Sequence, residues 1–258
     1  MDDPTPTPNR TGRTGVTIVV AAIVVVAVAV LVAILVTRDD TNDSSADTTT
    51  TTERATTTTT STTSTTTTTT TTTTPPSALT SAVWPSADSV QRFGDPVDAA
   101  RSFATDFAGF TAPVVGPFNA GDSRSGEVEV RPRADGPVTT VLVRQLAADT
   151  SWWVTGAVSG DIEVDQPQVL ATVTSPLKLS GRARGFEGTW KVVLLADGTR
   201  TPLAQGVVTG RGDGVLGPFE SELTFTRSGG WGDVLFTTDS AENGQVWQAA
   251  VLRVQFGG

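Results

Sequence analysis

The sequence contains no cysteine and no histidine, and these two absences limit its chemistry. Without cysteine there is no disulfide to hold a domain together and no thiol for the acylation that makes a lipoprotein. Without histidine the chain lacks the commonest general base and the commonest metal ligand. Folded domains must therefore be stable by burial alone, and zinc chemistry and Ser-His-Asp catalysis are excluded.

Positive charge is also scarce, with 18 Lys and Arg against 27 Asp and Glu, a net charge of −9. Residues 84–166 carry 12 acidic and 6 basic side chains, whereas residues 167–258 carry 8 of each. Neither part has a basic face, so nucleic acid is not an expected partner. The uneven division of charge predicts two domains, one over residues 84–166 and one over residues 167–258.

Residues 16–36 contain no charged side chain, and this run is long enough for one transmembrane helix. A cleaved signal peptide, whose apolar region is only about 7–15 residues, is the alternative reading. Arg10 and Arg13 precede the run and Arg38 follows it. The positive-inside rule therefore predicts a cytoplasmic tail at residues 1–15, a single-pass anchor in the cell membrane, and extracytoplasmic domains after it.

Residues 37–83 are predicted to be a disordered, threonine-rich linker. Between residues 48 and 74 the chain has 22 threonines in 27 positions, too little apolar surface to offset the entropy of ordering. Such tracts also accept O-linked sugars, which we state as a hypothesis. A native intact mass equal to that of the bare polypeptide would end that hypothesis.

Residues 84–166 have the pattern of a small α+β domain. Asp95 is suited to cap a helix, and Pro96 is suited to its first position. Apolar residues then recur at helical spacing at Val97, Ala100, Phe103, Ala104 and Phe107. Alternating strands are predicted at residues 127–131, 138–146 and 151–158, and they are the expected cover for the helix.

Trp152 and Trp153 are adjacent in the third of these strands and must point to opposite faces of the sheet. One indole is expected in the core under the helix. The other is expected to be buried, with an exposed platform for a sugar ring or a partner as the alternative. Both are therefore candidate ligand or partner contacts.

From residue 169 the pattern changes to short alternating strands separated by turns, which predicts an immunoglobulin-like β-sandwich. Seven strands fall in about 90 residues. They are predicted at residues 169–174, 177–183, 189–195, 203–209, 219–226, 232–238 and 246–256.

Five separated motifs in this region resemble the immunoglobulin-like domain of bacterial spore-germination proteins. They are residues 173–177 (VTSPL), 180–183 (SGRA), 186–189 (FEGT), 217–219 (GPF) and 254–256 (VQF). The resemblance implies an extracytoplasmic β-sandwich of a bacterial cell-envelope protein of actinobacterial type. It implies neither a role in germination nor any catalytic residue.

Other motifs are weaker. Glu187 lies in the FEGT motif at a tight turn, where a carboxylate caps backbone amides or, in the sharper interpretation, contacts a ligand.

Residues 175–178 spell the S-x-x-K of penicillin-binding enzymes, but a strand places the serine and lysine on opposite faces. Residues 211–213 spell an adhesion tripeptide that a turn explains better. Asp161, Glu163 and Asp165 are compatible with calcium, and an exposed acidic edge explains them better.

The sequence therefore predicts a mainly β, membrane-anchored, non-catalytic binding module of the bacterial envelope, without metal or cofactor. Its expected partner is a cell-wall polymer or an envelope protein. A carboxylate-based enzyme is the second hypothesis, and it requires two of Asp122, Glu127, Glu129 and Asp135 in one cleft with raised pKa values. A structural subunit of a membrane complex is the third.

Overall fold

The computed structural model describes residues 78–258. The predicted cytoplasmic tail, transmembrane helix and nearly all of the predicted linker lie outside the described residues. Within 78–258 no helix combines the length and the apolarity that a membrane span requires. The described part is mainly β, with twelve strands and short helices.

The predicted helix is confirmed. Helix α1, Pro96–Ser102, continues as a π-helical turn, Phe103–Ala108. The Asp95 carboxylate accepts hydrogen bonds from the amides of Val97 (2.7 Å) and Asp98 (3.2 Å), so it caps the helix as its position predicts. Gly109 ends the turn with φ of 87°, a left-handed conformation that favours glycine.

Four antiparallel strands cover this helix: β1 (Val114–Ala120), β2 (Ser125–Arg131), β3 (Thr139–Gln145) and β4 (Trp152–Ser159). The last three correspond to the predicted strands. Strand β1 was not predicted, because it contains Pro117 and exposes most of its residues, so it lacks the alternating pattern of a half-buried strand.

The remaining eight strands form the sandwich region. One layer has the order β10-β7-β5, and the other has the order β12-β11-β8-β9. Their bounds are β5 Ile162–Gln166, β6 Thr172–Val173, β7 Leu177–Ala183, β8 Thr189–Ala196, β9 Pro202–Thr209, β10 Gly217–Leu223, β11 Trp231–Asp239 and β12 Val246–Phe256. The seven predicted strands are all present, although β6 is much shorter than predicted.

The two regions are joined by backbone pairing. Strand β4 pairs with β12 at Ala157 and Val251, so the order β1-β2-β3-β4-β12-β11-β8-β9 is continuous. Strand β5 follows β4 through a tight turn but pairs with β7, in the other layer of the sandwich. The chain thus leaves one layer at residue 159 and enters the opposite layer at residue 162.

Two hydrophobic cores lie on the two faces of the β12-β11-β8 layer. Ala250 and Leu252 point into the sandwich core, whereas Ala249 and Val251 point into the core under helix α1. Strand β11 is buried along nearly its whole length for the same reason. The helix is therefore covered by the sandwich strands as well as by β1 to β4.

Residues 78–83, which composition placed at the end of the linker, belong to the fold. They form a 3-10 turn, Ala78–Ser81, followed by buried Ala82 and Val83. The Thr80 carbonyl accepts a hydrogen bond from Arg253 Nε at 3.0 Å. The low-complexity composition ends before this segment, and Val83 contributes to the first core.

Candidate functional site

Trp152 is part of the core, as predicted for one of the two indoles. Its side chain is 8% exposed and packs edge-on against Phe118, with ring centroids 5.1 Å apart. Phe93 pairs with it through the backbone. An indole placed in this way has almost no surface to offer a ligand.

Trp153 lies on the opposite face of β4 and is completely buried. The Arg92 guanidinium lies 4.7 Å from the centre of its ring, a cation–π contact that closes this face. The structure therefore shows the second indole buried, as the first of the two sequence interpretations expected. Neither tryptophan forms an exposed platform.

Glu187 is exposed on a 3-10 turn with φ of 57°, a strained conformation for a residue other than glycine. No backbone amide of the described residues donates to its carboxylate, so it does not act as a cap. Gly188 packs directly on the backbone of Arg211, and its amide bonds to the Gly185 carbonyl. Gly188 therefore has a structural role in this turn, whereas the Glu187 carboxylate faces solvent.

Three of the four carboxylates of the enzyme hypothesis, those of Asp122, Glu129 and Asp135, each have separate contacts. The amides of Arg124 and Ser125 and the Ser125 hydroxyl lower the pKa of Asp122. Glu129 pairs with Arg131 at 3.1 Å, and Asp135 pairs with Arg133 at 2.9 Å. For Asp122 these contacts stabilise the ionised carboxylate rather than the protonated acid that acid catalysis requires.

Two of the three acidic residues considered for calcium, Asp161 and Glu163, each pair with an arginine. Asp161 accepts hydrogen bonds from Arg184 Nε (2.8 Å) and Gln248 Nε2 (2.7 Å). Glu163 lies 3.7 Å from Arg182. Among residues 78–258 no group of three acidic side chains is arranged to hold a metal ion.

A groove with a volume of about 930 Å³ lies between β4 and β5. We call it the β4–β5 groove. It exists because β4 and β5 separate after their turn to join different layers. Its walls come from residues 155–159 of β4, residues 162–164 of β5, residues 250–252 of β12, and Leu142, Val169, Leu170 and Phe236, among others.

The rim of the groove is unusually apolar. Seven large apolar side chains of residues 78–258 are exposed, and three of them, Val158, Val169 and Leu170, line this groove. Their exposed fractions are 51%, 63% and 43%. Exposed apolar side chains gathered around one concavity mark an interaction site, whereas scattered ones do not.

Leu170 is held at the groove by a strained backbone. Its φ is 62°, a left-handed value that costs a leucine about 1–2 kcal/mol. Hydrogen bonds from its amide to the Arg253 carbonyl (2.7 Å) and from the Ala171 amide to the Gln168 carbonyl (3.1 Å) maintain this conformation. An apolar residue kept in a glycine-like conformation at a groove is typical of a functional constraint.

The charged residues of the groove are two arginines and one glutamate, Arg124, Arg144 and Glu163. Arg124 donates to the carbonyls of Gln145 (3.0 Å) and Ala147 (2.9 Å). Arg144 is exposed and has no carboxylate of residues 78–258 within 4.0 Å; its charge contributes only weakly to the lowered pKa of Asp122. Arg144 is thus a cation without an ion pair among residues 78–258, and it lies beside an apolar groove.

Sequence reasoning did not find this groove. Its walls come from strands that are distant in sequence, and residues 155–159 read simply as the end of a strand. The exposed pair Val169 and Leu170 is the one local signal, because two apolar residues follow Pro167 and Gln168. By its pattern alone, that pair predicts the beginning of a strand over residues 169–174.

Comparison with known proteins confirms the resemblance in the C-terminal region. Residues 161–245 match the family described as the immunoglobulin-like domain of bacterial spore germination. The match covers β5 to β11 and ends before β12. No curated protein and no solved structure matches the chain significantly.

Proposed function

We propose, from the presence of the spore-germination immunoglobulin-like domain, that this chain is a non-catalytic binding module of the bacterial cell envelope. The apolar run at residues 16–36 anchors it in the cell membrane, and the threonine-rich stretch holds residues 78–258 away from the bilayer on the outer side. Its function is to bind a partner rather than to transform a substrate.

The observation that supports this function best is the β4–β5 groove. It combines three exposed apolar side chains with Arg144, which forms no ion pair among residues 78–258, and Glu163 is the one carboxylate among its described lining residues. Such a surface binds by excluding water from apolar contacts, with a charge that fixes orientation.

The partner is a cell-wall polymer or an envelope protein, and the composition of the groove favours the protein. Wall glycans present hydroxyls and amides along their length and would leave Val158, Val169 and Leu170 poorly matched. A protein segment supplies apolar side chains at regular spacing.

The test is co-sedimentation of the full-length chain with envelope fragments containing wall and membrane proteins. Val158→Glu and Val169→Glu each place a charge at the groove rim, and we expect at least a tenfold loss of affinity. Val207→Glu and Val215→Glu are matched controls, since these valines are 54% and 55% exposed on a strand and in a loop away from the groove.

Retention that the rim variants lose and the control variants keep would support the groove as the binding site. Retention on protein-free sacculi would identify the wall polymer as partner. Equal retention of all four variants would refute the groove as the site, and absence of retention at any salt concentration would refute envelope binding.

A further inference from the structure

The β4–β5 groove meets its surrounding strands at their edges, and this determines what could occupy it. Residues 162, 163 and 164 of β5 are consecutive, and all three line the groove. Successive side chains of a strand point to opposite faces, so a wall that includes consecutive residues is the edge of the strand. The same is true of residues 155–159 in β4.

The edge of β5 that faces the groove is largely unpaired. Strand β5 pairs with β7 along one side, and on the other side it pairs with β4 only at Ile162. The remaining residues of this side have no neighbouring strand among residues 78–258. An open strand edge presents amide and carbonyl groups that are free to pair with another strand.

The hydrogen-bond pattern shows which groups are free. The Arg184 amide donates to the Asp161 carbonyl at 2.9 Å, so Asp161 and, two residues on, Glu163 direct their backbone groups toward β7. In an antiparallel ladder the alternate residues point the other way. The N–H and C=O of Val164 therefore point away from β7, toward the groove.

We propose that the groove accepts an extended segment of a partner protein, which adds as a strand to the free edge of β5. This inference rests on the proposed binding function and specifies its mode. Main-chain hydrogen bonds to Val164 fix the segment, and alternate side chains enter the apolar part of the groove. The added strand extends the layer β10-β7-β5.

The charge of the groove specifies the chemistry of that segment. Arg144 has no ionic partner within 4.0 Å among the described residues, and Arg124 lies at the same groove. A segment with apolar residues at every second position would pack against the apolar walls, and a carboxylate on it would pair with Arg144. A polybasic segment is excluded by the same argument.

The experiment selects heptapeptides from a random displayed library on the full-length chain. We expect the enriched peptides to alternate apolar and polar residues and to carry an acidic residue. One enriched peptide is then synthesised with fluorescein, in its natural form and with backbone N-methylation at alternate positions. N-methylation on the pairing edge leaves the side chains and removes the donors, so it should weaken binding at least tenfold.

The matching protein variant is Val164→Pro, which removes the outward N–H while leaving the bonds of Glu163 to β7 in place. We expect at least a tenfold loss of peptide binding. Val164→Thr keeps the N–H and the branched shape, and it should bind the peptide within about threefold of the wild type. If the proline variant does not fold, the N-methylated peptide still decides the question.

Binding that tolerates both N-methylation and the proline, or a selection without an alternating pattern, would overturn strand addition. Envelope retention that depends on Val158 and Val169 would then keep the proposed function and assign the groove to a different kind of occupant. Loss of both peptide binding and groove-dependent retention would refute the two proposals together.

Discussion

A buried ionic cluster leads to a specific prediction about pH and stability. Arg253 is completely buried and lies between two carboxylates, with Nη1 3.1 Å from Asp233 Oδ1 and Nη2 2.8 Å from Asp197 Oδ2. Asp233 is 2% exposed, and Asp197 is partly exposed. One cation thus faces two acidic groups, and burial raises the pKa of Asp233 to about 7.

The sign of the effect follows from linkage. Folded Asp233 keeps its proton up to about pH 7, whereas the unfolded side chain releases it near its usual value of 3.8. Between these values the folded state binds more protons, so the free energy of unfolding falls as the pH rises. From pH 5 to pH 8 the loss amounts to roughly 2–3 kcal/mol.

The chain has no histidine and no cysteine, so it lacks the side-chain types whose ordinary pKa values lie in or near this pH window. All six tryptophans lie in residues 78–258, so indole fluorescence during urea unfolding reports only on this part. We expect Asp233→Asn to match the wild type within about 1 kcal/mol at pH 5, since an amide resembles a protonated carboxyl. The variant should then show no decline up to pH 8.

The control is Asp213→Asn. Asp213 is exposed, and its hydrogen bond with Arg211 lowers its pKa, so it titrates below this window. The control variant should keep the wild-type decline. A wild-type stability that is flat or rises from pH 5 to pH 8, or a large loss in Asp233→Asn at pH 5, would refute the reasoning, because either result shows that the buried carboxyl is ionised in the folded state.

Three further changes test the fold and the groove by urea unfolding and envelope retention. Asp95→Ala removes the cap of helix α1 and should cost about 1 kcal/mol; an unchanged stability would show that the cap is dispensable. Gly181→Ala places a methyl group 2.1 Å from the Glu163 carbonyl oxygen and should lower the free energy of unfolding by about 3 kcal/mol or more. Its control is Gly94→Ala, whose methyl group meets nothing within 4 Å and should cost less than about 1 kcal/mol. Leu170→Gly relieves the strain at φ of 62° and should stay within about 1 kcal/mol of the wild type while envelope retention falls; undiminished retention would separate Leu170 from binding.

Local sequence signals predicted the elements well where one face was buried and the other exposed. The cap at Asp95 and the apolar face that follows it placed helix α1, and strand β7, which alternates buried and exposed residues, has the predicted bounds. Alternation failed for β1, because Pro117 and its exposed side chains hide the period of two. It also gave no sign that β11 is buried on both faces, since a strand between two cores loses its polar side.

For the candidate site residues, too, local pattern predicted some properties, whereas others depended on the tertiary structure. Adjacency placed Trp152 and Trp153 on opposite faces, and their burial followed from the size of the indole. Sequence alone could not identify what covers Trp153, because Arg92 is about 60 residues away and its position depends on how the chain crosses β4. Nor could sequence show that Asp122, Glu129 and Asp135 sit in separate contacts.

The sequence by itself determined the absence of thiol and imidazole chemistry, the helix and most of the strands, because each depends on residue type or on short periodic spacing. Its motifs also carried the resemblance to the immunoglobulin-like domain that the family match at residues 161–245 confirms. Tertiary structure alone decided the two-sided burial of β11 and β12, the cluster around Arg253 and the β4–β5 groove. These features arise where strands far apart in the chain meet or separate, and the free edge of β5 exists only because the chain changes layer between residues 159 and 162. Periodicity records which face of a strand is apolar, but it carries no information on which neighbour that face or edge will find.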